Sequence, residues 1–269
     1  MKYTEIILEK QKNIAVLRLN RPERMNAVSE EMYFQLLDAC SSIENDKAIR
    51  SLVLTGSVFE RNGRVKQAFC AGADLKKHSS HERTHAQKRA YIELAHRATL
   101  KLNSIAVPVI AAVNGPARGA GSEIAINCDF ILMSDEATIG FPETGLGTFV
   151  GGGATKILPG LIGMVKAREL IYTGKILSGP EAVDYGMALA SYPVEELPEK
   201  AMELAGVLSE KAPISMIMAK DMLSGSTDMS LENTLKLETD CILKCMDSED
   251  WAEGVHAFNE KRKPRYRGE

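Results

Sequence analysis

The chain carries no strong excess of charge. Its 33 Lys and Arg residues nearly balance 36 Asp and Glu, leaving a net charge of −3. Nothing in that balance calls for a nucleic acid or an anionic lipid surface as partner. Long apolar runs are also missing. The longest, Ile105 to Val113, has nine residues and contains Pro108, whereas about 20 are needed to cross a bilayer. The opening residues, Met1-Lys-Tyr-Thr-Glu5, are charged and alternating and do not read as a signal peptide. Five cysteines occur (Cys40, Cys70, Cys128, Cys241 and Cys245), an odd number without a Cys-x-x-Cys pair. That argues against a disulfide framework and predicts buried thiols in a reducing, cytoplasmic setting. Cys241 and Cys245, four apart on one helix face, read as small apolar fillers.

What is present suffices for a large core. With 269 residues, 45% of them hydrophobic, the chain can form one large domain, or one domain with an appendage. Glu5 to Glu9 and Ile14 to Leu19 read as strands joined at Gln11-Lys-Asn13, and Arg21-Pro22 breaks the pattern. Ser29 reads as the cap of a helix reaching about Ile43, with Glu30 and Glu31 in its first turn. Ser51 to Thr55 is a short strand, and Ser57 to Gln67 reads as loop. A long helix is expected from about Glu82 to Leu102, with Ser79 and Glu82 at capping-box spacing. Val109 to Val113, Phe130 to Met133 and Ala137 to Phe141 read as strands. Strands alternating with helices predict an α/β core over residues 1–196. Beyond about Leu197 only helices are expected, over Pro198 to Lys211, Ser215 to Leu223, Leu231 to Met246 and Asp250 to Lys261. Residues 197–269 thus form a helical region packed on the core or on another subunit.

Three stretches carry potential chemistry. Ala68-Phe-Cys-Ala-Gly-Ala73-Asp-Leu-Lys76 and Asn114-Gly-Pro-Ala-Arg-Gly-Ala120-Gly-Ser-Glu123 each place a small residue where a backbone N–H can face a ligand. The second opens a helix, whose first N–H groups lack intrahelical partners and sit at the positive end of the dipole. Paired N–H groups at Ala73 and Ala120 would make an oxyanion hole; taken singly, either stretch also fits an ordinary tight turn. Glu123 lies one turn after Ala120, entering an apolar run, Ile124-Ala-Ile126, that draws it inward. The third stretch is Phe141-Pro-Glu143-Thr-Gly-Leu-Gly147, where Glu143 projects from a turn fixed by Pro142; Gly151-Gly-Gly153 follows and opens a helix.

His81-Glu-Arg-Thr-His85 fits the spacing of a zinc-protease helix, with His78 one turn before. Its surroundings, Lys76, Lys77, Arg83, Gln87 and Lys88, are those of a solvated helix start, so no metal site is expected. Gly119-Ala-Gly121-Ser-Glu-Ile124 lacks the third glycine of a dinucleotide fingerprint, and no Walker lysine follows Gly115. The basic tail Lys261-Arg-Lys-Pro-Arg-Tyr-Arg267 fits a solvated or phosphate-facing terminus.

Taken in order, the Ala68–Lys76, Gly119–Glu123 and Pro142–Glu143 stretches resemble the crotonase (enoyl-CoA hydratase/isomerase) superfamily. So do Leu19-Asn-Arg-Pro-Glu-Arg-Met-Asn-Ala27, Leu177-Ser-Gly-Pro-Glu-Ala-Val-Asp-Tyr-Gly-Met187 and Ala257-Phe-Asn-Glu-Lys-Arg-Lys-Pro264. The resemblance spans nearly the whole chain. It implies a spiral of ββα repeats with a C-terminal helical region. By the same resemblance, Ala73 and Ala120 hold a thioester oxygen; much of the family has glycine in place of Ala120. Met25, Ala27, Ala71 and Lys76 would border coenzyme A, with Phe258 and Lys261 reaching it from the C-terminal end, often across subunits. Glu123 and Glu143 match both catalytic glutamates of the hydratases, Glu123 mainly activating water and Glu143 mainly delivering a proton. Isomerases of the family commonly keep one acid, at the Glu143 position. The resemblance further implies an acyl-CoA substrate, no separate cofactor, and a homotrimer or dimer of trimers. An isomerase, hydrolase or decarboxylase on the same fold, or a non-catalytic RNA- or protein-binding member, remains open at this point.

Overall fold

The computed structural model describes residues 3–61, 63–74, 83–225 and 229–269. Strands β1 (Ile6–Gln11) and β2 (Ile14–Leu19) form an antiparallel hairpin, from Ile6 opposite Leu19 to Gln11 opposite Ile14. Helix α1 (Glu30–Asn45) starts at Ser29, whose hydroxyl accepts from the Met32 N–H at 3.1 Å. Its apolar positions recur at three and four residues, so Met32, Leu36, Ala39, Cys40 and Ile43 share the buried face.

After β3 (Ser51–Gly56) the chain departs from the loop expected over Ser57 to Gln67. Strands β4 (Val58–Arg61) and β5 (Arg64–Gln67) form an antiparallel hairpin. Val58 and Val65 are exposed on it, and the turn with Gly63 at φ +68° supplies the pairing. Helix α2 (His85–Ser104) begins at Thr84, which forms a reciprocal capping box with Gln87. The expected cap at Ser79 and Glu82, with His78 and His81, lies outside the described residues. Arg83 and Thr84, expected within the helix, precede it. Strand β6 (Val109–Val113), β7 (Ala117–Arg118), α3 (Ala120–Ile126), β8 (Phe130–Ser134) and β9 (Thr138–Gly140) follow. Next come a short 3-10 turn at Glu143–Leu146, α4 (Ala154–Ile162), α5 (Met164–Thr173), β10 (Ile176–Ser178), α6 (Gly179–Tyr185) and β11 (Ala190–Tyr192). Helices α7 (Leu197–Ser209), α8 (Pro213–Gly225), α9 (Leu231–Met246) and α10 (Glu249–Asn259) complete the chain.

The main sheet runs β1-β2-β3-β6-β8-β11, antiparallel at β1-β2 and parallel elsewhere. Alternation divides its side chains between two faces. Ile14, Val16, Val53, Ile110 and Leu132 meet Leu197, Ala201 and Ala205 of α7 on one side. Leu17, Leu19, Leu52, Leu54, Ala111 and Val113 join the larger core beneath α1 and α2 on the other. A second, shorter layer pairs β7 with β9 and β9 with β10, and a single bridge from Cys70 to Ala117 continues it. Each circuit therefore passes a long strand, a short strand and a helix, as in β6-β7-α3, giving the spiral the sequence led us to expect.

Helices α8 and α9 contain no buried residue. Lys220 of α8 reaches the core, donating to Asp129 Oδ2 at 2.7 Å and to the Val107 carbonyl at 3.2 Å. No helix among the described residues is long and apolar enough to cross a membrane.

Candidate active site

Two segments of the short layer run in parallel. Cys70 bridges Ala117, and the Arg118 N–H donates to the Cys70 carbonyl at 3.0 Å. Ala73 and Ala120 are related by the same 47 positions, so the register carries both to equivalent places at the end of the pair. The fit is close because residue 121 is glycine: a Cβ there would stand 2.2 Å from the Cys70 carbonyl oxygen. Val28 bridges Ala73 by donating to the Gly72 carbonyl (2.8 Å) and accepting from the Asp74 N–H (3.2 Å). Parallel pairing of this kind turns the N–H of the middle residue away from its partner strand. The Ala73 N–H thus faces away from Val28, and the Ala120 N–H is the first of α3, where no helical carbonyl can accept it. Both alanines are partly exposed.

Glu123 is 8% exposed and points at the glycine turn before α4. The Gly151 N–H donates to its Oε1 at 2.6 Å. Gly152 takes φ +57°, and a Cβ there would stand 2.6 Å from Glu123 Cβ, so both conformation and space demand glycine. Burial pushes the Glu123 carboxyl up to about 7, the Gly151 hydrogen bond working against the rise and the Glu143 charge adding to it. Glu143, also 8% exposed, begins the turn after β9. Its Oε1 lies against Gly119, 2.5 Å from where a Cβ would stand, which places it at the base of α3. Burial raises this carboxyl too, opposed by its own backbone N–H. Its Oε2 is buried with no hydrogen-bond partner among the described residues. Two carboxyls with raised proton affinity thus flank the start of one helix, close enough for the Glu143 charge to act on Glu123.

The residues expected beside coenzyme A divide into two groups. Met25, Ala27 and Ala71 come together: the Ala71 N–H donates to the Met25 carbonyl at 3.0 Å, and Ala27 precedes the Val28–Ala73 bridge. Lys76 lies outside the described residues. Phe258, 83% exposed, lines a separate apolar groove of about 460 Å³ with Trp251, Val255 and Tyr266, which none of Met25, Ala27 or Ala71 borders. Lys261 follows on the same end of α10, exposed and at φ +55°. Within one chain these two are not joined to the Met25, Ala27 and Ala71 group.

Several supporting residues escaped the sequence reading. Arg21, taken there only as a pattern break, is buried and donates to Asp74 Oδ2 (3.2 Å), to the Ala27 carbonyl (2.5 Å) and pairs with Glu5 (3.2 Å). Asn26 adopts φ +57°, donates to the Ala68 carbonyl at 2.8 Å and accepts from the Arg21 N–H at 2.9 Å. The Ser122 hydroxyl lies between the carbonyls of Ala117 (3.0 Å) and Gly140 (2.8 Å), its one proton shared between them, anchoring the base of α3. Ser122 stands among small and apolar residues, which was an available signal, whereas the polar stretch around Arg21 and Asn26 offered none. Among the described residues no group of three or more His, Cys, Asp or Glu side chains is arranged to hold a metal.

Comparison with known proteins supplies the family. The enoyl-CoA hydratase/isomerase family model matches residues 9–269. The crotonyl-CoA hydratase of Syntrophomonas wolfei is 33% identical over 99% of both chains. The short-chain-enoyl-CoA hydratase of Clostridium acetobutylicum is 32% identical over 98% of this chain and 97% of that one. Among solved structures, enoyl-CoA hydratase from Bacillus anthracis superposes with a TM-score of 0.92 at 34% identity, covering 99% of this chain and 100% of the other. The chain belongs to the enoyl-CoA hydratase/isomerase family, and its fold is that of the crotonase superfamily.

Proposed function

We propose that the protein is a 2-enoyl-CoA hydratase. It adds water across the double bond of a trans-2-enoyl-CoA, giving a 3-hydroxyacyl-CoA. The water oxygen bonds to C3 as its proton passes to Glu123, the C2–C3 π pair moves toward the thioester to give an enolate-like state, Glu143 places a proton on C2, and proton transfer from Glu123 to Glu143 restores both acids. The Ala73 and Ala120 N–H groups receive the thioester oxygen, where the negative charge collects; losing one such donor typically costs about 10²–10³ in rate.

The observation that carries this reading is the pair of acids in unlike surroundings. Glu123 accepts a backbone hydrogen bond, which favours its ionised form and suits a base for water. Glu143 has a buried oxygen without a donor, which suits a neutral carboxyl able to deliver a proton. Double-bond migration needs only one acid, so the second supports hydration. The two acids titrate as a coupled pair. The reaction balances with water alone, and coenzyme A enters as part of the substrate.

The test is loss of the enoyl-thioester absorbance with crotonyl-CoA, with product analysis separating 3-hydroxyacyl-CoA from a shifted double bond or free acid. Glu123→Gln and Glu143→Gln are each expected to lower turnover by about 10²-fold or more. Near-normal turnover in either variant removes that residue from its role.

The assembly we infer is a homotrimer or dimer of trimers built through the C-terminal helices, with Phe258 and Lys261 reaching a neighbouring subunit's coenzyme A. The support is the apolar surface these helices present, including Leu231, Leu235, Ile242, Leu243 and Phe258.

A further inference from the structure

Asn127 ends α3 four residues after Glu123 and is 4% exposed. Its Nδ2 donates to two carbonyls, that of Glu123 at 2.8 Å and that of Gly152 at 2.7 Å. Both protons of one amide are used, and they join two elements. The first carbonyl belongs to the helix that carries Glu123. The second belongs to the glycine turn whose Gly151 N–H donates to Glu123 Oε1. Gly152, between these contacts, packs on the Glu123 side chain itself. Backbone, side chain and turn therefore close a loop of interactions with Asn127 as its fixed corner.

We propose that Asn127 is a positioning residue for Glu123: its amide holds the Gly151-Gly152 turn against α3, so that the Gly151 N–H stays on the carboxylate. This rests on the reading of Glu123 as the water-activating base. Without the amide the turn loses its tie to the helix, and the hydrogen bond that favours the ionised carboxylate weakens. The other groups facing Glu123 are Glu143, Tyr33 of α1, Cys70 of the short layer and His96 of α2. None of them changes when Asn127 is replaced.

Two variants of the full chain test the proposal. Asn127→Leu keeps the approximate volume and removes both donors. Asn127→Ser retains a hydroxyl able to donate to the carbonyl four residues back but too short for Gly152. The first readout is carbon-13 NMR titration of the glutamate carboxyls without substrate, with Glu123 assigned from Glu123→Gln. The expected result is an upward move of the Glu123 midpoint by about one unit in both variants. The second readout is the pH profile with crotonyl-CoA. Turnover near pH 7 should fall about fivefold, recover at higher pH, and leave KM within about twofold. An unmoved midpoint in either folded variant overturns the proposal. So does a Ser variant that behaves as wild type, because the Gly152 arm would then do nothing. If Asn127→Leu does not fold, Asn127→Ser alone decides. If the midpoint moves but the wild-type protein does not hydrate crotonyl-CoA, the functional reading fails while the positioning role stands.

Discussion

Glu123 ionises near 7 in a site from which water is largely excluded, and two consequences follow from that one property. Turnover should fall as pH drops below about 7, because the base takes up a proton; a pH profile of kcat/KM with crotonyl-CoA checks this, and the apparent midpoint belongs to the coupled pair with Glu143. Stability should run the other way. A carboxyl whose folded-state value is raised from 4.5 favours the folded chain when protonated, so its contribution is complete below about 4.5 and lost as pH rises through about 7. The loss is at most roughly 3 kcal/mol by the one-unit equivalence, and Glu123→Gln should abolish it. Tm measured across pH 5 to 8 for both proteins reads the difference. The oxyanion donor proposed at Ala120 can be removed almost alone. Proline is tolerated at the first position of a helix, where its missing N–H breaks no helical bond. Ala120→Pro should therefore lower kcat by about 10²–10³ while the melting temperature changes little. A variant with near-normal turnover would show that this N–H holds nothing.

Among the elements, α3 is short, only Ala120–Ile126, and owes its placement to contacts at both ends. Ser122 ties its base to β7 and β9, and Asn127 ties its end to the glycine turn. Its close approach to the neighbouring segment requires the missing side chain at residue 121. Gly121→Ala would push a methyl against the Cys70 carbonyl, and backbone cannot yield cheaply. The expected outcome is a loss of about 1–3 kcal/mol in denaturant unfolding, with turnover reduced as Ala120 moves. Helix α6 offers the contrast. Ser178 and Glu181 form a capping box remote from the two acids. Ser178→Ala should cost about 1 kcal/mol and leave kcat unchanged.

On the scale of the whole molecule, the division of labour is between a core with a full interior and a C-terminal extension without one. Helix α7 is buried on the sheet, whereas α8 and α9 contribute no buried side chain. Helices with apolar residues and no interior of their own need a partner surface to be stable. Light scattering should therefore report a mass well above the 29.4 kDa of one chain. Leu243→Asp, on the exposed face of α9, should shift that mass toward the monomer and lower Tm with protein concentration. A monomeric wild-type protein would contradict the assembly.

The sequence by itself determined the parts whose signals are local. Ser29 with the three-and-four spacing of Met32, Leu36 and Ile43 marked α1, because a cap and a helical stripe are both properties of neighbouring residues. Continuous apolar residues marked β6, and small residues beside Ala73 and Ala120 marked the places where backbone could face a ligand. Glu123 was legible as a charged residue entering an apolar run, and Glu143 as a carboxylate on a turn that mattered only in combination with the other stretches. Local signals failed where partners are distant or where several compete. Thr84 capped α2, and β4 and β5 paired with Val58 and Val65 left exposed. The tertiary structure alone decided that Arg21 braces Asp74, 53 residues on, and that Cys70 lies beside Ala117. It also decided that Asn127 reaches Gly152 and that burial lifts Glu123 to about 7. Propensity acts over a few residues, but desolvation and hydrogen bonding depend on which surfaces the folded chain brings together.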